Sequence, residues 1–222
     1  MPARNSIKTY VGNGYYHVYN RGVEKRKIFL CKHDYAVFLG YSKEYLLQKD
    51  DQKLRHKLVD INLSAEERNK VAKLLRLNNF AEEIELFSFT LKPNHFHMLI
   101  KQKDAGSMDK FMNSLCTRYT MYFNKKYDRV GKLFQGVYKA VLVDSLEYCL
   151  YLTKYIHAQS LQGRTKRPSS LDAYLGKQRI GWINTEMILS YFSKKIHGLS
   201  YESFVSDGNM PSSRNFSELL ID

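Results

Sequence analysis

The chain has 222 residues, with 35 Lys and Arg against 22 Asp and Glu, a formal net charge of +13 and 17 tyrosines. Its apolar runs are too short to span a bilayer, and residues 1–8 lack the apolar stretch of a signal peptide, so no membrane role is expected. Three cysteines, Cys31, Cys116 and Cys149, odd in number and without CxxC spacing, exclude a disulfide scaffold and read as reduced thiols of a cytosolic protein.

In chain order, residues 15–20 predict a strand rich in Tyr and Val, ended by Arg21 and Gly22. Asp34 reads as the N-cap of a helix over 35–48 with Val37, Phe38, Tyr41, Tyr45 and Leu46 on one face. Residues 49–79 form a charged helical insertion, and Ser64 and Glu67 carry a capping-box pattern within it. A strand over 84–90, a Lys92-Pro93-Asn94 turn and a strand over 95–101 follow. Ser107 is expected to cap a helix over 108–126 that aligns Phe111, Leu115, Tyr119, Tyr122 and Phe123. Beyond a turn at 128–131 come a strand over 138–143 and a helix to about 158 capped by Asp144 or Ser145. Residues 160–181 read as a mobile basic loop, 186–192 as a short helix capped by Thr185, and the stretch after Gly208 as a polar tail.

This order predicts an α+β, ferredoxin-like βαββαβ fold: an antiparallel sheet with helices on one face, plus an additional C-terminal helix. Residues 1–160 form the main domain with its insertion at about 49–79, and 161–222 are appended to it. The charge excess asks for a polyanionic partner, most simply nucleic acid, and the bare face of such a sheet is a common platform for it.

The chemistry concentrates at His95-Phe96-His97. Strand side chains alternate, so the two imidazoles point to one face about 7 Å apart, which is half of a metal site. The bland alternative is a pair of hydrogen-bonded histidines on a half-exposed strand. In the last long helix, Tyr155 and Gln159 lie one turn apart, and together these four residues suggest metal-assisted phosphoryl transfer to tyrosine. Lys154 lies about 100° and His157 about 200° around that helix from Tyr155, outside the same ligand set.

Four segments then carry a resemblance: Tyr15-Tyr16-His17-Val18-Tyr19-Asn20-Arg21-Gly22, Lys92-Pro93-Asn94-His95-Phe96-His97, Arg129-Val130-Gly131-Lys132-Leu133-Phe134-Gln135-Gly136 and Tyr155-Ile156-His157-Ala158-Gln159. In this order they resemble the single-tyrosine HUH transposases, more closely the branch associated with repetitive extragenic palindromes. The resemblance spans about residues 15–160. It implies a transposase and endonuclease that cuts single-stranded DNA beside a hairpin, with Tyr155 as nucleophile and His95, His97 and Gln159 as ligands of Mg²⁺ or Mn²⁺. It implies a 5′-phosphotyrosine intermediate and DNA transposition by strand rejoining. The branch commonly carries Asn-Pro where this chain has Gln159 and Ser160, and Gln at that place is the usage of insertion-sequence transposases.

Imidazole donors suit Mn²⁺ better than Mg²⁺. Arg21, Arg118, Arg129 and Lys132 are candidates for phosphate or hairpin contacts, and Phe134 and Gln135 for stacking on or reading a base. The implied setting is cytoplasmic and nucleoid-associated, on single-stranded or hairpin DNA, as a monomer or homodimer. The main alternative is a non-catalytic hairpin-binding protein on the same fold. Replication initiators and relaxases order these residues differently or carry a helicase, and a sheet-platform RNA binder would need aromatics where the third strand has histidines.

Overall fold

The computed structural model describes residues 10–161 and 166–207. Strands β1 (Tyr15–Arg21), β2 (Ile84–Lys92), β3 (His95–Gln102) and β4 (Lys139–Val143) form one sheet in the order β2-β3-β1-β4, with every neighbouring pair antiparallel. Helices α1 (Lys32–Leu46) and α4 (Ser107–Lys126) make the two crossovers of the βαββαβ unit. Between α1 and β2 the insertion forms α2 (Asp51–Leu58) and α3 (Ala65–Arg76). The expected capping box is present, with Glu67 N donating to Ser64 Oγ at 3.2 Å and Ser64 N donating to Glu67 Oε2 at 3.1 Å.

Strand alternation sorts the apolar residues into two cores. On one face Tyr16, Val18, Phe96, Met98 and Ile100 pack against Phe38 of α1 and Phe111, Leu115 and Tyr119 of α4. On the other face Phe87, Leu99 and Val143 pack against α5 (Leu146–Leu161) through Leu152 and Ile156. A register irregularity between Leu86 and Ser88 reconciles β2 with both cores. The extra residue of a bulge lets Leu86 and Phe89 face the first core while Phe87 faces the second.

The second face is therefore covered rather than left bare as a platform. Besides α5 it carries α6 (Leu171–Tyr174), α7 (Glu186–Leu189) and α8 (Tyr201–Ser206), which contribute Leu171, Tyr174, Ile188, Tyr201 and Val205 to the same core. The expectation of a mobile loop over 160–181 fails for its described part. Leu91 N donates to Pro168 O at 2.9 Å, Ser170 N to Phe89 O at 3.0 Å, and a bridge joins Thr90 to Ser169. This segment satisfies the free edge of β2, which explains its order. Residues 162–165 and the tail after Gly208 lie outside the described residues.

Two capping assignments also shift. Helix α1 starts at Lys32, and Asp34 sits inside its first turn, where its carboxylate accepts from Leu30 N at 2.8 Å and Cys31 N at 3.1 Å. Helix α4 is capped by Gly106 at φ 94°, while Ser107 Oγ donates to Glu83 Oε2 at 2.8 Å. Glycine meets no steric penalty at that positive φ, and the serine is freed to tie the helix to the start of β2.

Candidate active site

Sheet register places the site. Across β2, β3 and β1, Lys92, His95 and Arg21 are direct partners, and Thr90, His97 and Tyr19 form the next row. Direct cross-strand partners share a face, so both rows lie on the face covered by α5. His95 and His97 have ring centroids 5.1 Å apart, edge to face. Tyr155 of α5 lies edge-on to His97 at 5.5 Å. His95, His97, Tyr155 and Gln159 are all buried, with exposures between 1% and 6%. The two strand histidines and the helical tyrosine thus meet within one chain.

His17 of β1 joins them, and the sequence reading assigned it no role. Its Nε2 lies 2.9 Å from His97 Nδ1, and the two rings stack at 5.1 Å with planes 9° apart. Burial pushes the His17 pKa down to about 3, and burial, then the neighbouring His17, His95 and Lys92, hold His97 well below the ordinary imidazole range. Both rings are neutral at pH 7, so one N–H is shared across the contact. With that proton on His97 Nδ1, His97 Nε2 is a lone-pair nitrogen. His95 is oriented in the same manner, its Nδ1 donating to Asn94 Oδ1 at 2.7 Å. Neutral imidazoles fixed through Nδ1 by an outer partner are the usual form of metal-ligating histidine.

The third expected ligand is engaged. Gln159 Oε1 accepts a hydrogen bond from Lys92 Nζ. A cation sits on the oxygen expected to hold a metal, and that cation belongs to the cross-strand partner of His95. Among the described residues no group of three or more His, Cys, Asp or Glu is gathered for a metal. Two imidazoles and a neutral amide fit a divalent ion that takes its remaining donors from water and a substrate phosphate. They do not fit a tightly held structural ion.

The other candidates divide. Arg21, in the row of His95, donates through Nε to Gln135 Oε1, so both lie at the rim of the site. Lys132 is exposed, and Arg129 bends back to Asn124 Oδ1 at 2.8 Å and Lys132 O at 3.3 Å. Arg118 lies in the helix layer of the opposite face, paired with Glu44 at 2.6 Å and stacked over Tyr41 at 3.8 Å. It is not brought to the site. Phe134 is a correction: it is buried against Phe96 and Tyr119, not presented to a base. The bridge between Gly22 and Phe134 extends the sheet and turns the ring into the first core.

Two residues of α5 lie away from the site, as helix geometry requires. Lys154 is buried over the Phe204 ring at 4.9 Å. His157 uses both nitrogens, Nδ1 with Tyr201 Oη at 2.6 Å and Nε2 with Ser170 Oγ at 2.7 Å, and clamps the C-terminal segment to α5. His17, Lys92 and Asn94 are the site residues that sequence reasoning missed. Strand alternation puts His17 on a face with Tyr15 and Tyr19, but only the β1–β3 register reveals its neighbour.

Residues 52–159 match the profile of a family described as "Transposase IS200 like". Among curated proteins no match was found. Among solved structures, the chain is similar to a REP-associated tyrosine transposase bound to a REP hairpin, at 10% identity and a TM-score of 0.45, over 77% of this chain and 84% of that one. It is also similar to a candidate transposase from Deinococcus radiodurans R1, at 14% identity and a TM-score of 0.28, over 72% of this chain and 98% of that one.

Proposed function

We propose that this chain, which belongs to the IS200-like transposase family, cleaves and rejoins single-stranded DNA beside a hairpin, with Tyr155 as the nucleophile. The observation that carries the reading is the position of the Tyr155 ring, 5.5 Å from His97 and on the same helix as Gln159. The phenolic oxygen attacks the scissile phosphorus, the bond to the 3′-oxygen breaks, and a 5′-phosphotyrosine and a 3′-hydroxyl result. Attack of a 3′-hydroxyl on that phosphotyrosine restores a phosphodiester, so the bond energy is conserved and no nucleotide cofactor is needed.

His95, His97 and Gln159 would hold Mn²⁺ or Mg²⁺, which supplies Lewis-acid polarisation of the phosphate. His17 and Asn94 keep the two imidazoles in the tautomer and orientation this requires. Lys92 passes from Gln159 to a phosphate oxygen, where its charge opposes the negative charge that builds up on the phosphate in the transition state. Arg21 at the other end of the same row contacts the adjoining phosphate, with Arg129 and Lys132 further along the strand. Because Tyr155 and the histidines belong to one subunit, a monomer suffices for cleavage. Residues 1–160 act as the nuclease domain, and residues 166–207 cover one face of its sheet.

The test is a denaturing gel of the protein with a hairpin oligonucleotide carrying a single-stranded flank, in Mn²⁺. A covalent adduct is expected in the unaltered protein and absent from Tyr155→Phe and from the His95→Ala/His97→Ala double variant. Hairpin binding without any adduct in Mn²⁺ would return the chain to the class of non-catalytic binders.

A further inference from the structure

Beside the active site, a cavity of about 750 Å³ opens between α1 and the C-terminal segment, over the edge strand β2. Its wall begins next to the catalytic residues. Arg167 N donates to Ser160 O, the residue after Gln159, and Leu91 N, from the residue before Lys92, donates to Pro168 O, both at 2.9 Å. The cavity therefore lies round the edge of β2 from the active site, on the face of Phe89 and α1.

The lining has the chemistry of a nucleotide subsite. Trp182, the sole tryptophan of the chain, is half-buried in the lining and stacks on the buried Phe89 ring at 5.7 Å with planes 11° apart. Phe89 fixes the indole as a rigid aromatic surface. Lys43, Arg167 and Arg179 surround it, and among the described residues Lys43 and Arg179 make no ion pair. Arg167 meets the phenol of Tyr35. The one carboxylate in the lining, Asp172, is bound by Lys166. Among the described residues three cations are left without a counter-charge around an aromatic face, in a volume suited to a nucleotide.

We propose that this cavity is a second DNA subsite: it takes an unstacked base of the single-stranded flank against Trp182 and its phosphates on Lys43, Arg167 and Arg179. Stacking tolerates any base, whereas the cations track the backbone, so the subsite holds the flank without reading its sequence. The inference rests on the reading of single-stranded DNA as substrate and not on Tyr155 as nucleophile.

Gly40 gives a clean perturbation. It lies in the α1 wall of the cavity, and a Cβ built there meets nothing within 4 Å. Gly40→Leu projects a branched side chain into the cavity while replacing glycine by a better helix former, so the fold is retained. The measurement is the fluorescence of Trp182 in Tyr155→Phe protein, where cleavage is removed, with oligonucleotide binding followed in parallel by anisotropy.

A single-stranded oligonucleotide is expected to quench the emission saturably, and an abasic oligonucleotide of equal length to bind without quenching. Gly40→Leu should abolish the quenching, and Trp182→Ala should weaken single-strand binding by roughly five- to a hundredfold, the range of one base–aromatic stack. DNA that binds by anisotropy but leaves the emission unchanged would overturn the subsite and leave the proposed function standing. Unchanged DNA affinity in Gly40→Leu would do the same. Equal quenching by polyglutamate would overturn the nucleic-acid assignment, and an absence of DNA binding altogether would remove the proposed function as well.

Discussion

Replacing His17 with leucine separates the chemical role of this residue from its structural one. His17 is fully buried, and its Nδ1 has no hydrogen-bond partner among the described residues. Removing it relieves one unsatisfied buried nitrogen, a gain of about 1–3 kcal/mol. The same substitution strips the His97 Nδ1–H of its 2.9 Å acceptor, His17 Nε2, and creates a new unsatisfied nitrogen at a cost of about the same size. The two effects nearly cancel, and leucine suits the apolar neighbours of the second core, so the melting temperature should move by no more than about 4 °C. Metal affinity has no such compensation. His97 loses the partner that fixes its tautomer and ring orientation, which for metal-ligating histidines costs roughly 10- to 100-fold, or about 1.4–2.7 kcal/mol. The assay is a Mn²⁺ titration followed by the electron paramagnetic resonance signal of free Mn²⁺, alongside thermal unfolding of the metal-free protein. A stable variant that binds Mn²⁺ as tightly as the unaltered protein would refute the reasoning, because the His17–His97 contact would then orient nothing.

Three further outcomes follow from the same contacts. Burial holds both His17 and His157 at about 3, so the unfolded chain takes up protons near pH 6.5 that the folded chain refuses; stability therefore falls as pH drops from about 6 towards 4, by roughly 1.4 kcal/mol per pH unit for each group, and urea unfolding across that window in the double variant His17→Leu/His157→Leu should show a flatter profile. Asp34, with no exposed side chain, accepts from two backbone amides, Tyr122 Oη, Tyr127 Oη and Lys126 Nζ, and so joins the start of α1 to the end of α4; Asp34→Ala should cost about 3 kcal/mol, and a loss below 1 kcal/mol in urea unfolding would show that the cluster is replaceable by water. Lys92→Met frees Gln159 from its ammonium partner, so Mn²⁺ should bind about tenfold more tightly while adduct formation slows, and unchanged Mn²⁺ affinity would mean that Lys92 and the metal do not compete for that oxygen.

The fold was legible where the chain obeys simple periodicities. The alternation in β1 and β3 and the helical spacing of Phe111, Leu115 and Tyr119 announced the βαββαβ unit, and the structure has it with the expected antiparallel sheet. What escaped was long-range. Residues 160–181 look like a basic loop because their apolar residues, Leu171 and Tyr174 among them, are spread among polar ones with no sustained period. Their burial comes from docking on α5 and on the free edge of β2, a contact no local pattern encodes. The structure brings the rings of His95, His97 and Tyr155 together and sets Gln159 on Lys92, the cross-strand partner of His95. Phe134 went the other way: an aromatic beside Lys132 reads as a base-stacking residue, but its bridge to Gly22 directs the ring inward. Lys92 looked like part of a turn, and only its pairing with His95 across the hairpin brings its ammonium to Gln159.

The central claim is that one phenol out of 17 tyrosines becomes joined to DNA. Protein incubated with hairpin DNA and Mn²⁺, digested with nuclease and protease and analysed by peptide mass spectrometry should carry a nucleotide phosphate on the peptide containing Tyr155 and on no other. The modification on a different tyrosine, such as Tyr148 or Tyr151 of the same helix, would contradict the account.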